Sequence, residues 1–195
     1  MKKAFSLFLA SIATIINVSA QSELSSPAKS SQDELFDFGH RVTTGNYNSY
    51  TANIGIIEAG YDFIWNFPTF KNYQLMDLGI GMSGLFVFDD KGSPRTPTMG
   101  MGINGSTRLY TPDIRKMRLF LDGIMSLVLY SKNYPENGTK LNGGWHLGGG
   151  FEYSIETHTK LFASIRWFHT SNNDVYGRDR NPSVNALGIA IGIQL

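Results

Sequence analysis

From residue 35 to the C-terminus the chain repeats one pattern: apolar and polar residues take turns along eight segments separated by turn-forming residues. Period-two alternation marks β-strands, whose successive side chains face opposite ways. The segments run roughly over 35–44, 52–65, 73–88, 98–110, 116–131, 142–155, 159–170 and 184–195. In the second, Ile57, Ala59, Tyr61, Phe63 and Trp65 share one side against Glu58, Gly60 and Asp62. In the fifth, Leu119, Leu121, Met125, Leu127 and Leu129 oppose Arg118, Asp122 and Ser126. A soluble sandwich or lipocalin-like barrel, the competing architecture, buries its apolar face and shows water the other. Here the polar faces are rich in Gly, Arg and acids while the opposite faces stay apolar, the reverse arrangement of a small membrane barrel.

The connections support the same reading. Those at 45–51, 89–97, 132–141 and 171–183 are polar and rich in Gly, Pro, Asn, Asp and Lys, whereas 66–72, 111–115 and 156–158 are mostly shorter. An even strand count with short turns at one end and longer loops at the other predicts an all-β, eight-stranded antiparallel transmembrane barrel over 35–195, with its longer loops extracellular. Such a barrel is only just wide enough inside for side chains. Arg41, Arg108, Arg118 and Arg166 would meet Glu58, Asp62, Asp77, Asp122 and Glu152 there, which predicts a plugged core of ion pairs and no pore.

The N-terminus fits that destination. Lys2 and Lys3 precede an apolar run from Ala4 to Asn17, and Val18-Ser19-Ala20 supplies small residues for cleavage. Residues 1–20 thus form a secretory signal peptide, and 21–34 a polar, Ser-rich tail. The chain has no cysteine, hence neither disulfides nor thiolate metal sites, and its net charge of +1 argues against nucleic acid as a partner. His40, His146 and His158 lack metal-ligand spacing to one another. No metal or cofactor is implied.

One place breaks the apolar outer face. Parity along the seventh segment puts Leu161, Ala163, Ile165, Trp167 and His169 outward, and Ser171 falls outward just beyond the strand end. The eighth segment reads outward as Asn185, Leu187, Ile189, Ile191, Ile193 and Leu195. His169, Ser171 and Asn185 are therefore expected together on the outside of the wall, at the outer-leaflet interface. Polar groups facing lipid are costly unless they have a task. A serine beside a histidine is the nucleophile and base of acyl transfer, with a third group orienting the ring. A site facing lipid would meet acyl chains, not a soluble substrate.

The same residues carry a family resemblance. The run HTSNN, His169 to Asn173, followed by RNPSVNALGIAIGIQL to the C-terminus, resembles the end of the lipid A 3-O-deacylase family. The resemblance implies an outer-membrane barrel of a Gram-negative bacterium that hydrolyses an ester-linked acyl chain of lipid A with a Ser-His-Glu triad. By position, His169 is similar to the family's base, Ser171 to its nucleophile and Asn172 to its oxyanion-hole side chain. Counted back from the C-terminus, the family's Glu falls on Asn185, which can orient His169 but brings no charge. The loop after the seventh segment is two residues longer than the family pattern. The implied partner is lipid A, or lipopolysaccharide, in the outer leaflet. Two other functions remain open from the residues: a non-catalytic structural or adhesin barrel with a degenerate triad, and an acyl hydrolase of phospholipid.

Overall fold

Side chains that alternate between large apolar and small or charged can be separated onto two faces by an extended pleated backbone. The computed structural model places all eight segments in that conformation. The structure describes residues 37–69, 73–89 and 97–195. The expected signal peptide and tail, and the middles of the connections at 66–72 and 89–97, lie outside the described residues. The strands are β1 (Asp37–Ser49), β2 (Ile54–Thr69), β3 (Tyr73–Asp89), β4 (Thr98–Tyr110), β5 (Met117–Tyr134), β6 (Thr139–Ser154), β7 (Lys160–Ser171) and β8 (Val184–Gln194). Each pairs antiparallel with the next, and β8 pairs with β1, so the sheet has no free edge. Closure leaves every ladder bond satisfied within the wall, as a bilayer demands.

Four strands overrun their expected ends by three residues or more: β1 continues from 44 to Ser49, β2 from 65 to Thr69 and β5 from 131 to Tyr134, and β6 begins at Thr139 instead of 142. The connection expected over 132–141 is thus a tight hairpin, closed by Gly138 N–H donating to Pro135 O at 2.7 Å. Lys132, Asn133 and Lys140 are polar because this part of the wall stands clear of the apolar band. Alternation nonetheless continues, with Tyr47, Tyr130 and Tyr134 buried inward. Loss of outward hydrophobicity marks where the apolar band ends, and the strands outlast it.

The register sets the barrel's tilt. A row of paired residues leaves β1 at Asp37, passes Asn66, Asp77, Arg108, Asp122, Gly148, Arg166 and Gly188, and returns to β1 at Tyr47. It has climbed ten residues toward the loop end, the shear of a barrel whose strands tilt about 40°. With strands about 4.8 Å apart, each step from a strand to its lower-numbered neighbour descends about 3 Å.

The lumen is filled, as the inward charges predict. Arg41 binds Asp77, Arg166 binds Asp122 through Nε and Nη2, and Arg118 binds Glu152 in the same way. Arg108 lies 3.7 Å from Asp122 and 3.5 Å from Glu152, its guanidinium stacked 3.9 Å from the Phe162 ring centroid. Gly148 makes room for this layer: a Cβ there would come within 2.7 Å of Asp122 Oδ1 and 2.6 Å of Ile165 O. Toward the loop end an apolar cluster of Tyr47, Ile56, Leu85, Val87, Val128, Tyr130 and Phe168 closes the lumen. Outside, Met101 is 72% exposed and Ile80 63%, part of a large apolar surface of the kind a membrane barrel turns to lipid.

Candidate active site

β7 carries two polar side chains to one face because Thr170 lies between them and turns inward. Thr170 is fully buried and donates its hydroxyl to Gly143 O, while His169 and Ser171 stay half-buried on the outer face. The β7–β8 register sets Asn185 directly opposite His169. The three side chains form a line, with His169 Nδ1 2.9 Å from Asn185 Oδ1 and Nε2 3.1 Å from Ser171 Oγ. An amide oxygen only accepts, so Nδ1 carries the ring proton. Nε2 then presents its lone pair to the Ser171 hydroxyl, the tautomer a general base needs. Parity in the sequence places these residues together, and the structure brings them within hydrogen-bond reach.

The ring is held from two further sides. Trp167 stacks on His169 with centroids 5.6 Å apart and 27° between planes, and its Nε1 donates to Tyr50 Oη at 3.0 Å. The start of the β1–β2 connection clasps Asn185. Asn185 N–H donates to Thr51 Oγ1, and Ser49 Oγ and Tyr50 N–H both donate to Asn185 O. Asn185 is thereby anchored through its backbone, leaving its side chain for the histidine. Ser49, Tyr50 and Thr51 escape sequence reasoning, because only closure of β8 on β1 brings them near residues more than 130 positions away.

Asn172 sits differently. It continues the parity inward, is 5% exposed, and its side-chain amide donates to Arg180 O at 2.5 Å and Thr139 Oγ1 at 3.2 Å. Its backbone N–H donates to Asn181 Oδ1 at 2.8 Å. Asn172 therefore ties the loop after Ser171 to β6, and its donors point away from the serine. The loop carboxylate Asp174 accepts from Asn181 Nδ2 at 2.7 Å and lies 3.7 Å from Arg178 Nε, so its partners are loop residues. The longer loop is thus internally braced, with Asn173 and Asp174 in the left-handed region at φ 52° and 59°.

Ser171, His169 and Asn185 thus stand in line on the outer face of a rigid sheet, in the spacing that acyl transfer asks of a nucleophile, a base and an orienting group.

Comparison with known proteins bears on the family and the fold. The model of the lipid A 3-O-deacylase (PagL) family matches residues 34–194. Among solved structures the fold is similar to neisserial surface protein A (NspA), with TM-score 0.58 and 12% identity over 82% of this chain and 96% of that one. It is also similar to the outer membrane enzyme PagL, with TM-score 0.57 and 10% identity over 78% of this chain and 97% of that one. No match was found among curated proteins.

Proposed function

Because the chain belongs to the lipid A 3-O-deacylase (PagL) family, we propose that it hydrolyses an ester-linked acyl chain of lipid A in the outer leaflet, using Ser171, His169 and Asn185. Ser171 Oγ attacks the acyl carbonyl while its proton passes to His169 Nε2. The ring then returns the proton to the departing sugar oxygen, leaving the acyl group on Ser171. Water enters by the same general-base route and releases a free fatty acid. Asn185 Oδ1 holds the ring through Nδ1–H and stabilises the imidazolium by its dipole alone. Asn172 can serve the oxyanion once its amide leaves Arg180 O and Thr139. The observation that carries the proposal is the 2.9 Å and 3.1 Å line from Asn185 through His169 to Ser171.

Asn185 also favours a second reading. A neutral third member where the family pattern has a carboxylate suits a barrel that keeps the scaffold without the chemistry, in a structural or adhesive role. Mass spectrometry of lipid A from a Gram-negative host expressing the chain, beside a Ser171→Ala control, separates the two. Loss of one acyl chain with the unaltered chain alone is expected. Identical lipid A from both, with heat-modifiable gel migration showing folded barrels, would sink the esterase reading. A changed phospholipid profile with unchanged lipid A would move the substrate to phospholipid.

A further inference from the structure

A histidine acting as general base becomes a cation, and the hydrogen-bond partners of His169 offer that cation little. Both ring nitrogens are spent in the plane of the ring, Nδ1 on Asn185 at 2.9 Å and Nε2 on Ser171 at 3.1 Å. An amide and a hydroxyl are neutral. The residue paired with His169 on β6 is Trp145, and the one on β8 is Asn185 itself, so neither position supplies a counter-ion. A charge facing lipid without a counter-ion is costly. Further stabilisation of the ring has to arrive through one of its faces.

Trp167 covers a face. It stands two residues from His169 on β7, where pleating returns the side chain to the same side of the wall, and both residues are half-buried. The indole lies 27° from parallel to the imidazole, with ring centroids 5.6 Å apart. The negative face of an indole attracts a cation within about 6 Å of the ring centroid, more strongly where water is excluded. A tryptophan that only anchored the barrel at the interface would turn its N–H toward the headgroups. Here Nε1–H donates to Tyr50 Oη at 3.0 Å, which holds the indole across the histidine. The backbone N–H of Tyr50 donates to Asn185 O. The connection between β1 and β2 therefore holds both the residue beside the imidazole and the residue stacked on it.

We propose that Trp167 is a positioning residue of the triad, whose indole face stabilises the imidazolium that His169 becomes when it takes the Ser171 proton, a role that rests on the ester-hydrolase reading. It supplies part of the stabilisation that the neutral Asn185 cannot give. Trp167 exchanges no proton: Ser171 Oγ–H gives its proton to Nε2, and the ring returns it to the departing oxygen. A ring whose cation is stabilised is a stronger base, so the benefit falls on the chemical step and not on binding.

Two measurements on the refolded chain in neutral detergent micelles test this. The first needs no turnover. Proton binding by the His169 ring is followed by NMR in a Ser171→Ala background, where His169→Gln identifies the signal among the four histidines. Trp167→Leu should weaken proton binding about tenfold, and Trp167→Phe, which keeps an aromatic face, only about threefold. Packing alone predicts the opposite sign, because a ring uncovered to water favours its charged form. Unchanged or stronger proton binding in Trp167→Leu would overturn the proposal. The second measurement is hydrolysis of p-nitrophenyl butyrate. Trp167→Leu should lower kcat about tenfold with KM within about twofold, and Trp167→Phe should restore kcat to within about threefold of the unaltered chain. A change confined to KM would make Trp167 a substrate contact and overturn the proposal, as would an unchanged kcat. Weakened proton binding in a chain that hydrolyses no ester in any variant would support the indole–imidazolium contact and sink the esterase reading. Heat-modifiable migration verifies that each variant is folded.

Discussion

His146 of β6 and His169 of β7 stand on neighbouring strands, His146 beside Phe168 and His169 beside Trp145. His146 points inward and is 1% exposed, with Glu58 Oε2 3.6 Å from its Nδ1 and Tyr47 donating to the same carboxylate at 3.0 Å. It has the carboxylate partner of a catalytic histidine but no nucleophile and no path to substrate. His169, one pleat away, has the serine and the open face, with an amide in place of the carboxylate. Surroundings separate the two roles: a sealed lumen makes an imidazole a packing element, and an outer wall facing lipid makes one available for chemistry.

Four perturbations sharpen or break that contrast. The largest effect belongs to Ser171→Ala, which should cut ester hydrolysis by about a thousandfold or more, since nucleophile and base act as a unit. Esterase assays on barrels of verified heat-modifiability would check it, and residual activity above a few per cent would break the assignment.

Next comes Asp122→Ala inside the lumen. It strips Arg166 of its partner and leaves Arg108 facing fewer anions, and should destabilise the barrel by about 3–5 kcal/mol. Urea titration of folded and unfolded gel bands measures it, and an unchanged midpoint would show that the ionic layer is dispensable.

Asn185→Asp places a carboxylate oxygen where the amide oxygen now sits. Loss of a triad carboxylate costs up to about 10⁴ when it also selects the wrong tautomer. Asn185 already selects the right one, so the expected gain is smaller, about ten- to a hundredfold, read as kcat on an ester substrate. A fall in rate would mean that the neutral amide is itself required.

The smallest effect is expected of His146→Phe, about 1–3 kcal/mol of stability through the partner it removes from Glu58, with hydrolysis unchanged. Hydrolysis lost together with His146 would erase the contrast between the two histidines.

Much of this molecule was legible in its residues. Alternation in the second, third, fifth and sixth segments is enough to predict a closed wall and the side each charge takes. Arg41, Asp77, Arg118, Asp122, Glu152 and Arg166 are all buried on the predicted face. Parity is equally sufficient to gather His169, Ser171 and Asn185, because strand geometry transmits it without error from one residue to the next. Strand ends were less legible: at Ser49, Tyr134 and Thr139 the sequence turns polar while the ladder continues, since backbone pairing does not need an apolar outer face.

Other features depend on residues far apart in the chain. The hold of Ser49, Tyr50 and Thr51 on Asn185 exists only because β8 closes on β1. The commitment of the Asn172 amide to Arg180 and Thr139 arises from how the loop after β7 folds back on β6. The ten-residue shear, which sets paired residues of β4 and β5 lower on the wall than their counterparts on β7, exists only in the closed sheet. The sequence alone determined which side of the wall each residue faces, because pleating is local. Only the tertiary structure decided which residues stand above, below and beside the triad, because register and tilt are properties of the closed sheet.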